Sequence, residues 1–170
     1  SGLHAAESVR SIKHVNVNDS ASDSDRKIIQ DLLENAPGES FGQLRSDLGS
    51  SMNQYLAVYR NEEGMQQALK NIADVKERFN DVYVADKTKT FNTNLMFTLE
   101  MGFMIECAES IALSAIERTE SRGAHTREDM PERDDENWLK HILVTKKDEG
   151  HEISYRDVVI TDWQPTVRQY

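Results

Sequence analysis

The sequence predicts a mainly α fold, an antiparallel three- to four-helix bundle followed by an irregular charged loop and a short β hairpin or extended tail. Three observations predict it. Apolar residues recur at steps of three and four along most of residues 24–119, the period of a helix with one wet face. A dense mixed-charge stretch, broken by Pro131, ends that pattern at 125–137. Beyond it, 142–146 and 152–160 are richer in β-branched side chains, which favour strands.

Residues 3–10 read as the end of a helix, and 16–24, rich in Asn, Asp and Ser, as a linker. The first bundle helix spans about 24–35, with Ile28, Ile29, Leu32 and Leu33 on one side, and Pro37-Gly38 breaks it. The second spans about 40–60. Ser40 and Gln43 make a capping-box signature at its start, and Phe41, Leu44, Leu48, Met52, Tyr55 and Tyr59 draw one stripe. The third, about 62–79, repeats the pattern with Met65, Leu69, Ile72, Val75 and Phe79. The fourth, about 91–119, is apolar around most of its circumference. It is expected to be a central post roughly 43 Å long, buried on several sides, with the second and third helices antiparallel against it. Gly123 is expected at the C′ position where this helix stops. Residues 147–150 read as the turn between the two β segments.

A length of 170 residues suits one compact domain. Thirty acids against twenty bases give a formal charge of −10. This argues against nucleic acid, which needs a basic patch, and against an anionic membrane surface. Glu100, Glu106, Glu109 and Glu117 argue against a membrane span in the long helix, so no direct membrane insertion is expected. The single cysteine, Cys107, excludes an internal disulfide and fits a reducing compartment. The start shows no signal-peptide pattern. It opens Ser1-Gly2-Leu3-His4 without an initiator methionine, as expected if it begins inside a longer protein.

Candidate chemistry concentrates in segment 120–141. Arg122, Arg127 and Arg133 offer guanidinium forks that bind carboxylates, and His125 and His141 offer acid–base groups. Asp129, Asp134 and Asp135 supply counter-charges close by, so an ion-pair lattice that fixes an irregular loop is the expected arrangement. His125, Asp129 and His141 are possible metal ligands, but their spacing matches no familiar motif, and no metal is expected. A small hydrolase or metal enzyme using His125 and His141 is the weakest reading. Cys107 is expected to be buried and inert, and Met96, Met101 and Met104 to be core packing. The eight glycines are scattered and form no phosphate loop. Trp138 and Trp163 read equally as interface anchors or as partly buried aromatics. The expectation is a docking and structural loop made of Arg122, His125, Arg127, Asp129, Arg133, Asp134, Asp135, Trp138 and His141, with no catalytic, cofactor or metal residue assigned. A stand-alone acidic helical module that binds a basic partner is the reading of another class.

Ser121-Arg-Gly-Ala-His125, Arg127-Glu-Asp129, Pro131-Glu-Arg-Asp-Asp135 and Asn137-Trp-Leu-Lys-His141 resemble the C-terminal region of succinate dehydrogenase and fumarate reductase flavoprotein subunits. Arg60-Asn-Glu-Glu-Gly64 resembles the family's segment between two bundle helices, and Phe91-Asn-Thr-Asn94 the start of its long helix. Pro165, Arg168 and Tyr170 resemble its chain end, and Leu3-His-Ala-Ala-Glu7 the close of its flavin-binding domain. Met130, where the family often has an aromatic, and the short acidic turn at 147–152 depart from the pattern. The resemblance implies a parent in which FAD sits on a larger N-terminal portion that interconverts succinate and fumarate. It implies that 1–23 are the end of the preceding flavin domain plus a linker and that 24–170 are the C-terminal helical domain. The implied partners are the flavin-binding domain of the same chain and an iron–sulfur subunit. The implied location is cytoplasmic and peripheral to the membrane through partner subunits. None of the family's carboxylate-binding or flavin-attachment residues maps onto this chain. L-Aspartate oxidase shares a related arrangement, while the Asp134-to-His141 run favours the succinate dehydrogenase branch.

Overall fold

A computed structural model of the chain describes residues 2–13, 16, 18–148 and 150–166. Arg168 and Tyr170 lie outside the described residues. Helix α1 is Gly2–Ser11, and a 3-10 turn at Asp19–Ser22 leads into α2, Asp23–Glu34. The bundle proper is α3 (Phe41–Tyr55), α4 (Glu62–Arg78) and α5 (Thr93–Glu117). A two-residue strand, β1 (Tyr59–Arg60), separates α3 from α4 and pairs in parallel with β2 (Thr126–Arg127). After a short helix α6 (Asp135–Trp138), β3 (Lys140–Lys146) and β4 (His151–Asp157) form an antiparallel hairpin. The helical bundle with a terminal hairpin is the fold the sequence predicts.

Side-chain caps set the helix starts. Ser40 Oγ accepts the Gln43 backbone N–H at 3.2 Å, Asn61 Oδ1 that of Gly64 at 2.8 Å, and Asn92 Oδ1 that of Leu95 at 2.8 Å. Each satisfies an orphan donor of the first turn. The expected capping box is only half made, because the Gln43 amide donates to Asp47 instead.

The core is apolar and continuous. Leu44 and Leu48 of α3, Met65, Ala68, Ile72 and Val75 of α4, and Met101, Ile105, Ala108 and Ala112 of α5 meet in it. Neighbours run antiparallel. Tyr55 of α3 lies beside Gly64 at the start of α4, while Asp47 meets Arg78 at its end. Phe79, just after α4, packs on Gly102 of α5 so closely that a Cβ there would sit 3.3 Å from the ring.

Five expectations need correction. The second helix stops at Tyr55, not 60, because Tyr59–Arg60 is drawn into pairing with Thr126–Arg127. Tyr59 therefore leaves the apolar stripe and is 71% exposed. The long helix is not buried on several sides. Its inner face, Thr98, Met101, Ile105, Ala108, Ala112 and Ala115, is buried, but Met96, Phe97, Phe103, Met104 and Ile111 face outward. Cys107 shares that outer side and is exposed, not buried. Finally, α5 ends at Glu117, well before Gly123. Gly123, at φ 60°, instead turns the chain between Arg122 and His125, a left-handed conformation that glycine adopts without strain. The segments after β4, expected as strand to residue 160, leave the ladder at Asp157.

Candidate functional site

The charged loop closes over the end of the bundle where α5 stops and α4 starts. Arg127 sits at its centre and is 0% exposed. Its Nε donates to Asp129 Oδ1 at 2.7 Å, and its Nη2 donates to Asp129 Oδ2 at 2.8 Å and Glu62 Oε2 at 3.0 Å. Its Nη1 donates to the carbonyl of Arg118 at 3.3 Å, just past the end of α5, where a cation also complements the helix dipole. Asp129 in turn accepts the Glu62 backbone N–H at 2.8 Å, placing an anion at the start of α4. The Arg127–Asp129 pair thus ties the end of one helix to the beginning of its neighbour. The Arg127 hydrogen bonds, against the opposing effect of burial, hold the Asp129 carboxyl far below the usual carboxylate range.

Glu120 is the second node and is also 0% exposed. Its Oε1 accepts Arg118 Nη1 at 2.6 Å and Arg122 Nε at 2.7 Å, and its Oε2 accepts Arg122 Nη2 at 2.9 Å and the Asp134 N–H at 2.8 Å. Burial alone would push its pKa up. The Arg122, Asp134 and Arg118 hydrogen bonds outweigh burial and keep it low. Asp135 forms the third node. Arg133 grips it with two hydrogen bonds at 2.7 and 2.6 Å, Arg122 adds one at 2.6 Å, and these bring its pKa down to about 2. Asp134 caps α6 through the Asn137 N–H at 2.9 Å. The Arg133 guanidinium also donates to the Thr166 carbonyl at 2.8 Å, holding the tail to the loop.

His125 is locked from both sides. Arg60 Nη1 donates to its Nδ1 at 2.8 Å, which leaves Nε2–H to donate to the Arg118 carbonyl at 3.3 Å. Burial pushes its pKa down, and the cations of Arg60, Arg127 and Arg118 add to that. Trp138 is buried; its Nε1 donates to Thr119 Oγ1 at 2.8 Å, its ring stacks edge-on with Tyr155, and Arg118 and Lys140 lie over it. It is a staple between loop and hairpin, while Trp163 is exposed. His141 leaves the loop altogether: it is an exposed residue of β3, opposite Arg156.

Of the nine residues expected to form the loop, the structure brings Arg122, Arg133, Asp134 and Asp135 into one cluster and Arg127 with Asp129 into another. Arg60, Glu62, Arg118 and Glu120 were given no site role from sequence, although Arg118 and Arg122 flanking Glu120 at two residues' distance are a signal for that node. The proposed ligands His125, Asp129 and His141 do not converge, since Asp129 is held by Arg127. Among the described residues, the one His/acid group with ligand atoms within 4.8 Å is Glu106, Glu109 and His151. Lys76 Nζ at 2.6 Å from Glu109 and Lys146 Nζ at 2.9 Å from Glu106 already neutralise it.

The described residues do not fit a flavin. The one parallel strand-to-helix step, β1 into α4, presents Glu62, Glu63 and the Asp129 carboxylate at the helix start, where a pyrophosphate would need unoccupied N–H groups and glycines. The loop arginines are consumed by acids, and both His125 nitrogens are engaged.

The chain also resembles known proteins. Residues 45–170 match the family described as fumarate reductase flavoprotein C-term. The chain is 41% identical to the fumarate reductase flavoprotein subunit of Haemophilus influenzae, covering 99% of this chain and 29% of that protein. It is 36% identical to the succinate dehydrogenase flavoprotein subunit of Coxiella burnetii, covering 92% of this chain and 26% of that protein. Its fold superimposes on an Escherichia coli quinol fumarate reductase chain with a TM-score of 0.87 and 35% identity, covering 98% of this chain and 29% of that one. The chain therefore spans under a third of the relatives it matches. The chain belongs to the fumarate reductase/succinate dehydrogenase flavoprotein family and corresponds to its C-terminal part, which displaces the stand-alone module reading.

Proposed function

We propose that this member of the family serves as the helical C-terminal domain of a flavoprotein subunit whose larger portion holds FAD and interconverts succinate and fumarate. Its role there is to pack on the flavin-binding domain of the same chain and to lie beside an iron–sulfur partner subunit. The observation that carries this reading is the saturation of the loop. Arg122, Arg127 and Arg133 are each spent on Asp or Glu within the domain, so no loop guanidinium is left to grip a dicarboxylate.

Two further features support the division of labour. Helix α1 buries no residue against the rest of the chain, as suits residues 1–23 being the close of a preceding domain plus a linker, with 24–170 as the helical domain. The outward face of α5 exposes Met96, Phe97, Phe103 and Met104, and α2 exposes Ile28 and Ile29, apolar side chains that suit a surface covered by another part of a larger protein. No helix among the described residues is long and apolar enough to cross a membrane, which suits a cytoplasmic subunit held peripherally by its partners.

The test compares the purified chain with the full-length parent. The reading expects the chain alone to be colourless and without succinate oxidation by an artificial acceptor, while the parent shows both flavin absorbance and activity. Stoichiometric flavin in the chain alone contradicts it.

A further inference from the structure

Arg60 is the half-buried arginine with no carboxylate partner among the described residues. Arg78, Arg118, Arg122, Arg127 and Arg133 each reach at least one Asp or Glu. Arg60 instead donates Nε to the Ala57 carbonyl at 2.6 Å and Nη1 to His125 Nδ1 at 2.8 Å. A guanidinium carries five N–H donors, so three of those of Arg60 have no protein acceptor among the described residues. In a chain of formal charge −10, a partly desolvated cation left without an acid is an exception that calls for a cause.

Arg60 lines an open cavity of about 570 Å³ together with Arg118, His125, His141, Ile111 and Ile142. His125 acts as a fixed acceptor. Its ring is held by the Arg118 carbonyl, so it orients the Arg60 fork before anything arrives. A carboxylate matches such a fork in plane and spacing, and the isoleucines suit the methylenes that carry it. The rim favours a protein over a free ligand, because Ile111 in its wall is an exposed apolar residue. The relatives, of which this chain spans 29%, provide the candidate body.

We propose that the Arg60–His125 cavity seats an Asp or Glu side chain presented by the flavin-binding portion of the same parent protein, making this ion pair a fixed point of the interface. The proposal rests on the packing role argued above and adds where that packing is anchored and by what chemistry.

The experiment uses the full-length parent carrying Arg60→Lys, treated with a water-soluble carbodiimide, which couples an amine to a carboxylate in contact with it. The expected product is an amide joining the peptide that contains position 60 to an Asp or Glu of the flavin-binding portion, absent from the wild type. No such product, or coupling only to acids of residues 1–170, overturns the proposal. Hydrogen exchange of the wild-type parent against the chain alone separates the two claims and needs no variant. Exchange slowed by about tenfold or more at residues 57–61 and 125–128 supports the proposal. Slowing confined to the outer face of α5 overturns it and leaves the packing role standing. No slowing anywhere overturns both.

Discussion

The bundle and the charged loop both exclude water completely at their centres, and they do so by opposite means. Leu44, Met65 and Ala68 lie at 0% exposure among other apolar side chains, while Arg127 and Glu120 lie at 0% exposure among charges. The bundle core is non-directional: any side chain of similar volume and apolarity keeps most of its stabilisation. The loop core is directional. Arg127 serves Asp129, Glu62 and a carbonyl just past α5 at once, and Glu120 accepts four hydrogen bonds from three residues. Removing one member leaves charged partners that are half exposed or less without their counter-charge, which costs more than the pair contributes. The comparison teaches that the bundle supplies bulk stability, whereas the loop specifies one arrangement of α4, α5 and hairpin.

The contrast is broken or sharpened by substitution. Arg127→Met should destabilise the chain by about 3–5 kcal/mol, read from urea unfolding; a loss comparable to a surface change would erase the distinction. Glu120→Gln keeps shape and some hydrogen bonding but removes the charge, and about 2 kcal/mol should be lost. In the bundle, Ile72→Val should cost only about 1 kcal/mol. A conservative change in the bundle is thus expected to be milder than a conservative change in the loop. On the outer face of α5, Phe103→Ser should alter the stability of the chain alone by no more than about 0.5 kcal/mol, since Phe103 is 68% exposed.

Acid should discriminate the regions too. The folded state lowers the His125 pKa, chiefly by burial. The unfolded chain therefore binds more protons once the pH is below the ordinary imidazole value of about 6.5. Stability from this residue is complete above that pH and is lost as the pH falls. Asp129 and Asp135, lowered chiefly by Arg127 and Arg133, keep their contributions until the pH drops below the ordinary carboxylate range and lose them progressively beneath it. Loop amides should lose hydrogen-exchange protection at a higher pH than amides of α4 and α5, and His125→Asn should flatten the first part of that decline. Simultaneous loss in both regions would contradict the separation.

The bundle was legible because its signal is one-dimensional. Leu44, Leu48, Met65, Ile72, Met101 and Ile105 fall at helical spacing, and burial follows from that spacing. Two things hid from the same reading. Tyr55 and Tyr59 continue the period, yet pairing with Thr126–Arg127, distant in sequence, stops the helix between them. The long helix is apolar all round, but periodicity does not say which faces are covered within one chain, so Cys107 was misplaced. In the loop, the residue types were legible and the partners were not. With Asp129, Asp134, Asp135, Glu120 and Glu62 all available to several arginines, pairing is decided by where α4 and α5 end. Glu120 and Glu62 carry no role in the sequence reading, and the geometry makes them nodes. The family resemblance of 121–141 located the loop's importance, and the ion pairs explain it as a clamp.

The most direct test of the clamp is a double-mutant cycle between Arg127→Met and Asp129→Leu, measured by equilibrium unfolding. If the buried pair acts as one unit, the coupling energy is about 2 kcal/mol or more, and the double variant is more stable than Arg127→Met alone. A coupling near zero, with the two losses simply adding, would contradict the account and leave the loop as a set of independent surface charges.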